Sequence, residues 1–217
     1  MKPSNIVKVN RIPLFVCTVI IAAVIGFGEI VPGLFVITPY ITGGSADMRG
    51  YEDFKSQIFA LTGEWEIPGQ SGGANLPETL KAFSLKSYLN PSYYKSYNLT
   101  LRLNEAQAGK VLSLYIPGYM SAYRVRVNGE YSEEAGVPGR SFTEEKVSGS
   151  GSFLPFPGKQ ENRIELTVSN HLFPSGGVVG EPVLLADHDT MIRFLLTRTI
   201  LSTFGVFLTL AVAVMQM

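Results

Sequence analysis

The chain has 217 residues, 46% of them hydrophobic and 17% charged, with a formal net charge of zero. A length of this order allows one domain with additions, and the balanced charge leaves no basic face for nucleic acid. The single cysteine, Cys17, excludes an internal disulfide and a cysteine-rich metal site, and a chain without other thiols enters an oxidising compartment without mispairing.

Residues 1–11 carry Lys2, Lys8 and Arg11 and read as a short cytoplasmic tail. From Ile12 to Gly28 there is no charge, Glu29 interrupts, and Ile30 to Ile41 is again apolar. About 17–25 apolar residues cross a bilayer. Two readings of residues 12–41 stay open. A cleaved signal peptide would use Gly26 and Gly28 at its processing site, whereas an uncleaved anchor accounts for the apolar character beyond Glu29. Either one exports the middle of the chain, to the periplasm or outside the cell.

Residues 50–190 read as strands and turns, apart from a short helical possibility near Tyr51–Leu61. Trp65 alternates with Glu64 and Glu66, so its ring is expected in the core. In "YNLTLRL", Tyr97, Leu99, Leu101 and Leu103 alternate with polar residues. "VLSLYI" sets Leu112, Leu114 and Ile116 on one side, and "YRVRV" does the same with Tyr123, Val125 and Val127. "RIELTV" repeats the pattern with Ile164, Leu166 and Val168. Such period-2 alternation predicts antiparallel strands with one face on a core and one in water. Asn128-Gly129 follows "YRVRV" directly and predicts a two-residue hairpin turn. Several short strands at this spacing predict an all-β sandwich or barrel, and about 140 residues suffice for its core without disulfides.

"VSNHLFPSGGVVGEP" (168–182) then ends a core strand. Ser169 and Asn170 have side chains able to bond local backbone, and Gly176 and Gly177 permit positive φ. The segment either presents His171 and Phe173 to a ligand, or carries the chain across to "EPVLL", or presses on membrane helices. Residues 194–217 read as a membrane helix, charge-free from Thr199 onwards. No polar flank succeeds it, so the sequence is expected to be truncated in or just after the first helix of a multi-helix region.

Catalysis finds little support. The two histidines, His171 and His188, lack metal-ligand spacing, and no nucleophile elbow or phosphate loop is present. Glu133-Glu134 and Glu144-Glu145 are read as solvated loop charges, because neighbours on a strand face opposite ways. Asp187 and Asp189, flanking His188, are read as a membrane-proximal linker. No catalytic residue, metal or cofactor is therefore expected. Binding has better candidates: aromatic rings stack on sugars and amides fix hydroxyls. Those assigned to a ligand are Tyr93, Tyr94, Tyr119, Asn170, His171 and Phe173.

The ordered series "LTGEWEI", the strand after "YYKSY", "LSLYIPGYMSAYRVRVNGEYSEEAGVPGRS" and "NRIELTVSNHLFPSGGVVGEPVLL" resembles a known domain. It is similar to the extracellular jelly-roll of bacterial seven-transmembrane receptors with diverse intracellular signalling modules. It is also similar, more loosely, to the sugar-binding jelly-roll of family 2 glycoside hydrolases. Both are galactose-binding-like sandwiches. The resemblance implies an inner-membrane receptor whose exported domain binds a carbohydrate or other small molecule and signals through the helices after it. Six further helices and a cytoplasmic output module would complete it. Two alternatives accompany this reading, a membrane-tethered carbohydrate-binding module serving a glycosidase-like system and a structural domain that forms homodimers.

Overall fold

The computed structural model describes residues 36–51, 54–80, 94–173, 176–178 and 180–215. The expected cytoplasmic tail at 1–11, the expected export segment at 12–41 up to residue 35, and the candidate Tyr93 lie outside the described residues. The chain divides into two units, and the β elements all belong to the one spanning Val36–Met191.

That unit is built from two main sheets. The first orders β1 (Val36–Ile37), β4 (Ile58–Ala60), β15 (Leu184–Asp187), β9 (Val111–Ile116) and β12 (Ser152–Pro157). The second orders β11 (Tyr131–Ala135), β10 (Ala122–Val127), β13 (Glu161–Ser169), β8 (Tyr94–Arg102), β3 (Ser45–Asp47) and β2 (Ile41–Thr42). A hairpin of β5 (Gly63–Glu66) and β6 (Gly73–Leu76) joins this second sheet where Glu66 pairs with Asn98. A two-stranded ribbon, β7 (Glu78–Leu80) with β14 (Gly176–Val178), completes the set.

Both main sheets line one buried cluster, and the alternation seen in the sequence decides which side chains enter it. Leu99, Leu101, Val127, Ile164, Leu166 and Val168 reach it from the second sheet, and Leu112, Leu114, Phe156 and Leu185 from the first. Tyr97, Tyr123 and Trp65 are fully buried, as their parity predicts. Each large apolar side chain taken from water contributes about 1.5–3 kcal/mol, so the sandwich needs no covalent staple. The Asn128-Gly129 turn forms with φ 55° and 73°, the pair of positive values that a tight hairpin demands.

Four expectations need correction. The residues expected to be helical near 51–61 contain β4, whose Ile58, Phe59 and Ala60 are all buried between β1 and β15. A strand covered on both faces loses its alternation, and an apolar run alone does not distinguish it from a helix. The β unit begins at Val36 rather than 50, because Val36–Ile37 and Ile41–Thr42 pair into sheet edges instead of continuing an apolar span. These early strands also make both sheets mixed: β1 runs parallel to β4, and β3 parallel to β8. The last correction concerns the C-terminal helix, α1 (His188–Met215), which starts well before residue 194 and leaves no linker after β15.

Within α1, residues 188–211 are long and apolar enough to cross a membrane. At 1.5 Å per residue they extend roughly 36 Å, against a hydrocarbon core of about 30 Å. Ile200, Phe204, Phe207, Leu210 and Val214 are exposed. The Thr199 and Thr209 hydroxyls bond back to the Leu195 and Gly205 carbonyls, each at 2.8 Å, and so present no unsatisfied donor to an apolar surrounding.

Candidate ligand-binding end of the sandwich

At the C-terminal end of β13 the chain leaves the second sheet through the turn read either as presenting residues to a ligand, as a crossover or as pressing on membrane helices. Asn170 is fully buried and grips this turn with both ends of its amide. Its Oδ1 accepts from the Phe173 N–H at 3.1 Å, and its Nδ2 donates to the Phe173 carbonyl at 2.8 Å. His171 is 9% exposed, and its Nε2–H donates to the Gly139 carbonyl at 3.0 Å. Phe173 is half-buried beside the exposed Leu172.

The residue that organises this end is Glu145. The expectation of a solvated charge holds for Glu144, which is exposed, but fails for Glu145, which is 7% exposed and turned inward. Its Oε1 accepts from Ser169 Oγ at 2.5 Å and its Oε2 from the His171 N–H at 2.8 Å, while Ser169 Oγ accepts from the Gly139 N–H at 3.1 Å. The connection between β11 and β12 is thereby folded back over the end of β13. Adjacent glutamates do face opposite ways, but one of the two directions here is into the protein.

Beyond Phe173 the chain crosses from the second sheet to the first. Gly177, at φ 106°, pairs with Thr79, and its N–H donates to Ser121 Oγ at 2.5 Å. Tyr119, 2% exposed, lies edge-on to Tyr123 with ring centres 5.7 Å apart, and its hydroxyl donates to the Glu181 carbonyl at 3.2 Å. Beside the ribbon, Glu78 Oε1 accepts from Lys95 Nζ at 2.9 Å and from the Tyr97 hydroxyl. Burial raises the pKa of the Tyr97, Tyr119 and Tyr123 phenols, and the Glu78 carboxylate adds to the effect on Tyr97. These hydroxyls therefore serve as neutral donors, that of Tyr119 to the crossover at Glu181, that of Tyr97 to Glu78 and that of Tyr123 to Ile116, Ser150 and Ser152.

Tyr94 differs from the other candidates. Opposite in parity to Tyr97, it stands on the outer face of the second sheet, paired across the ladder with Ser169. The Arg140 guanidinium lies over its ring at 5.4 Å from the centroid, a cation–π geometry. One side-chain row further along, Ser96 Oγ and Thr167 Oγ1 share a hydrogen bond at 3.0 Å. Arg124 faces Thr167 and is paired to Glu134 at 2.8 Å. The structure thus gathers Asn170, His171 and Phe173 in one turn, with Tyr94 one strand away and Tyr119 at the far end of the crossover. The sequence marks Glu145 only as a solvated charge and Arg140 not at all, and "GRSFTEEK" carries no periodicity that marks them. Among the described residues no group of three or more His, Cys, Asp or Glu side chains could hold a metal.

The opposite end of the unit holds the start of α1. Asp187 Oδ1 accepts from the Asp189 N–H at 3.2 Å, the bond of an N-terminal cap. His188 Nδ1 and Ser113 Oγ share a hydrogen bond at 2.9 Å, the Thr190 hydroxyl donates to the Lys55 carbonyl, and Met191 is fully buried. The first helical turn is therefore part of the β unit.

No family model matches the chain, and no curated relative does. Among solved structures it is similar to a protein described as a β-galactosidase from Bacteroides fragilis, with 19% identity over 59% of this chain and 23% of that one and a TM-score of 0.43. A β-glucuronidase from Bacteroides uniformis matches with 14% identity over 60% of this chain and 18% of its own, at a TM-score of 0.41. An FMN-binding β-glucuronidase from Facaelibacterium prausnitzii L2-6 gives 19%, 59% and 22%, at 0.38. The chain thus spans less than a quarter of the length of each of these three.

Proposed function

We propose that residues 36–191 form the exported ligand-binding domain of a bacterial membrane receptor, folded as a galactose-binding-like jelly-roll. The ligand is a carbohydrate or a similarly polar small molecule, and α1 is the first of the helices that receive its signal. The observation that carries this reading is the junction at Asp187: a central strand of the sandwich becomes an apolar helix with no intervening linker. A tethered binding module works through a slack connection, but a sensor cannot. Only a ligand that favours one of two arrangements shifts their populations, and that preference reaches the helix only through a stiff joint. The bonds of His188 and Thr190 and the burial of Met191 supply the stiffness. The candidate site lies at the other end of β13, roughly 25 Å away along the strand.

Topology is the direct test. Single cysteines replacing the exposed Ser71 and Ser150, in a Cys17→Ser background, should react with an impermeant maleimide in intact cells whose outer membrane is permeabilised. Labelling that requires lysis of the inner membrane would overturn the export reading. A thermal-shift screen against glycans then addresses the ligand, because a compound that binds only the native state raises its melting temperature.

A further inference from the structure

We infer that the outer face of the second sheet, at its Tyr94 end, is a binding site for a carboxylate-bearing saccharide, with Arg140 as the group that takes the acid. The inference rests on the ligand-sensing function proposed for the domain and names the ligand class. Four observations carry it. The first is the state of Arg140: its guanidinium is exposed and lies against the Tyr94 ring. No carboxylate among the described residues is within ion-pair distance of it. Glu144, the nearest acid in sequence, accepts from the Arg140 backbone N–H at 2.9 Å instead.

The second observation is that this arginine is held in place. Its backbone follows Gly139, which is fixed by Ser169 through its N–H and by His171 through its carbonyl, and both of those residues bond to the buried Glu145. An aromatic ring beneath a guanidinium restricts it further while leaving its N–H edges open. Such a planar fork matches a carboxylate with two parallel hydrogen bonds.

The third is the pair of hydroxyls beside it. Ser96 and Thr167, bonded to each other, occupy the next row of the same face, about 7 Å along the strand. Two hydroxyls that each donate and accept are suited to sugar hydroxyls. The fourth is charge. Arg126, further along the face, also has no ion-pair partner among the described residues, whereas Arg124 and Arg163 are paired to Glu134 and Glu165. Glu165 stands beside Arg126 across the ladder but is already paired to Arg163, so the face keeps a small excess of positive charge.

Isothermal titration of the full chain in detergent, with di- and trigalacturonate as probes, tests the proposal. Their methyl esters serve as neutral controls and inorganic phosphate as a simple anion. The acids should bind, the esters should bind about tenfold more weakly or worse, and phosphate alone should give no saturable signal. Arg140→Ala should lose a similar factor for the acids at an unchanged melting temperature, since the guanidinium makes no structural ion pair. Arg140→Lys should recover only part of it, because an ammonium lacks the fork. Ser96→Ala should weaken acid and ester alike. Equal affinity for acid and ester, full binding by Arg140→Ala, or no binding of either acid at millimolar concentration would each overturn the proposal. Binding of neutral sugars unaffected by Arg140→Ala would overturn it while leaving the sensor reading intact. Failure of the cysteine labelling would do the reverse.

Discussion

The two ends of β13 are closed by different chemistry. At the Glu161 end a two-residue turn is held by neutral amides. Asn128 Oδ1 accepts from the Arg163 N–H at 2.9 Å, Asn128 Nδ2 donates to Asn162 Oδ1 at 3.2 Å, and Asn162 Nδ2 donates to the Lys159 carbonyl at 2.6 Å. At the Ser169 end a long connection, residues 136–151, is folded back by the buried carboxylate of Glu145. A tight turn is largely specified by its own backbone angles, so weak donors suffice. A long connection has no such local geometry, and its position depends on one strong acceptor that gathers donors distant in sequence. The end that needs the acid is also the end that carries the candidate site.

The comparison rests on the intervening ladder being sound, and the largest effect tests that ladder. Val125→Asp places an unpaired carboxylate in the core, at a cost of several kcal/mol, enough to unfold a marginal domain. Arg124→Asp, on the outer face, loses the pair with Glu134 and sets two carboxylates opposite each other, yet should cost only about 1–2 kcal/mol because both stay in water. Urea unfolding of the two variants decides, and equal damage would mean that the strand parity is wrong. Next in size is Glu145→Ala, which strands the His171 N–H and the Ser169 hydroxyl and should cost about 2–3 kcal/mol. Hydrogen exchange should accelerate across 137–146 before it does so in β13.

Asn128→Ala should cost about 1–2 kcal/mol by placing a Cβ-bearing residue without a polar side chain at positive φ. Comparing it with Asn128→Gly, which relieves the backbone but still loses the amide bonds, separates the two contributions. If Asn128→Ala proved more damaging than Glu145→Ala, the contrast between the ends would be reversed. The smallest effect belongs to the helix junction. Ser113→Ala removes one half-buried hydrogen bond to His188 and should cost roughly 0.5–1.5 kcal/mol, read as faster exchange in residues 188–191 with the sheet protected.

Legibility in the sequence divides along the same contrast between local and distant specification. Period-2 alternation in β8, β9, β10 and β13 names the core residues individually, because one face of each strand meets the core, and Asn128-Gly129 announces its own turn. β4 is not legible, since burial on both faces erases alternation. β1 and β3 are hidden because strands of two and three residues are stabilised by partners far along the chain. At the candidate site, Asn170 is readable as a residue that bonds local backbone. Glu145 and Arg140 are not, because their roles depend on where residues 136–151 fold back, a tertiary fact without a local signal.

The uninterrupted passage from β15 into α1 also has a mechanical consequence. Any pull on the chain beyond Met191 that overcomes the contacts of residues 188–191 passes directly to β15, which is bonded on one side to β4 and on the other to β9. Tension along such a strand loads both ladders in shear, so their bonds must fail together and not one after another, as they do when an edge strand is peeled away. Ala186 and Asp187, facing Ser113 and Leu112, are the last sheet residues before the helix and would be the first of the sheet to meet that tension. The joint should therefore yield little under force, and displacement of the helix should be met by movement of the whole first sheet before any fraying at its end.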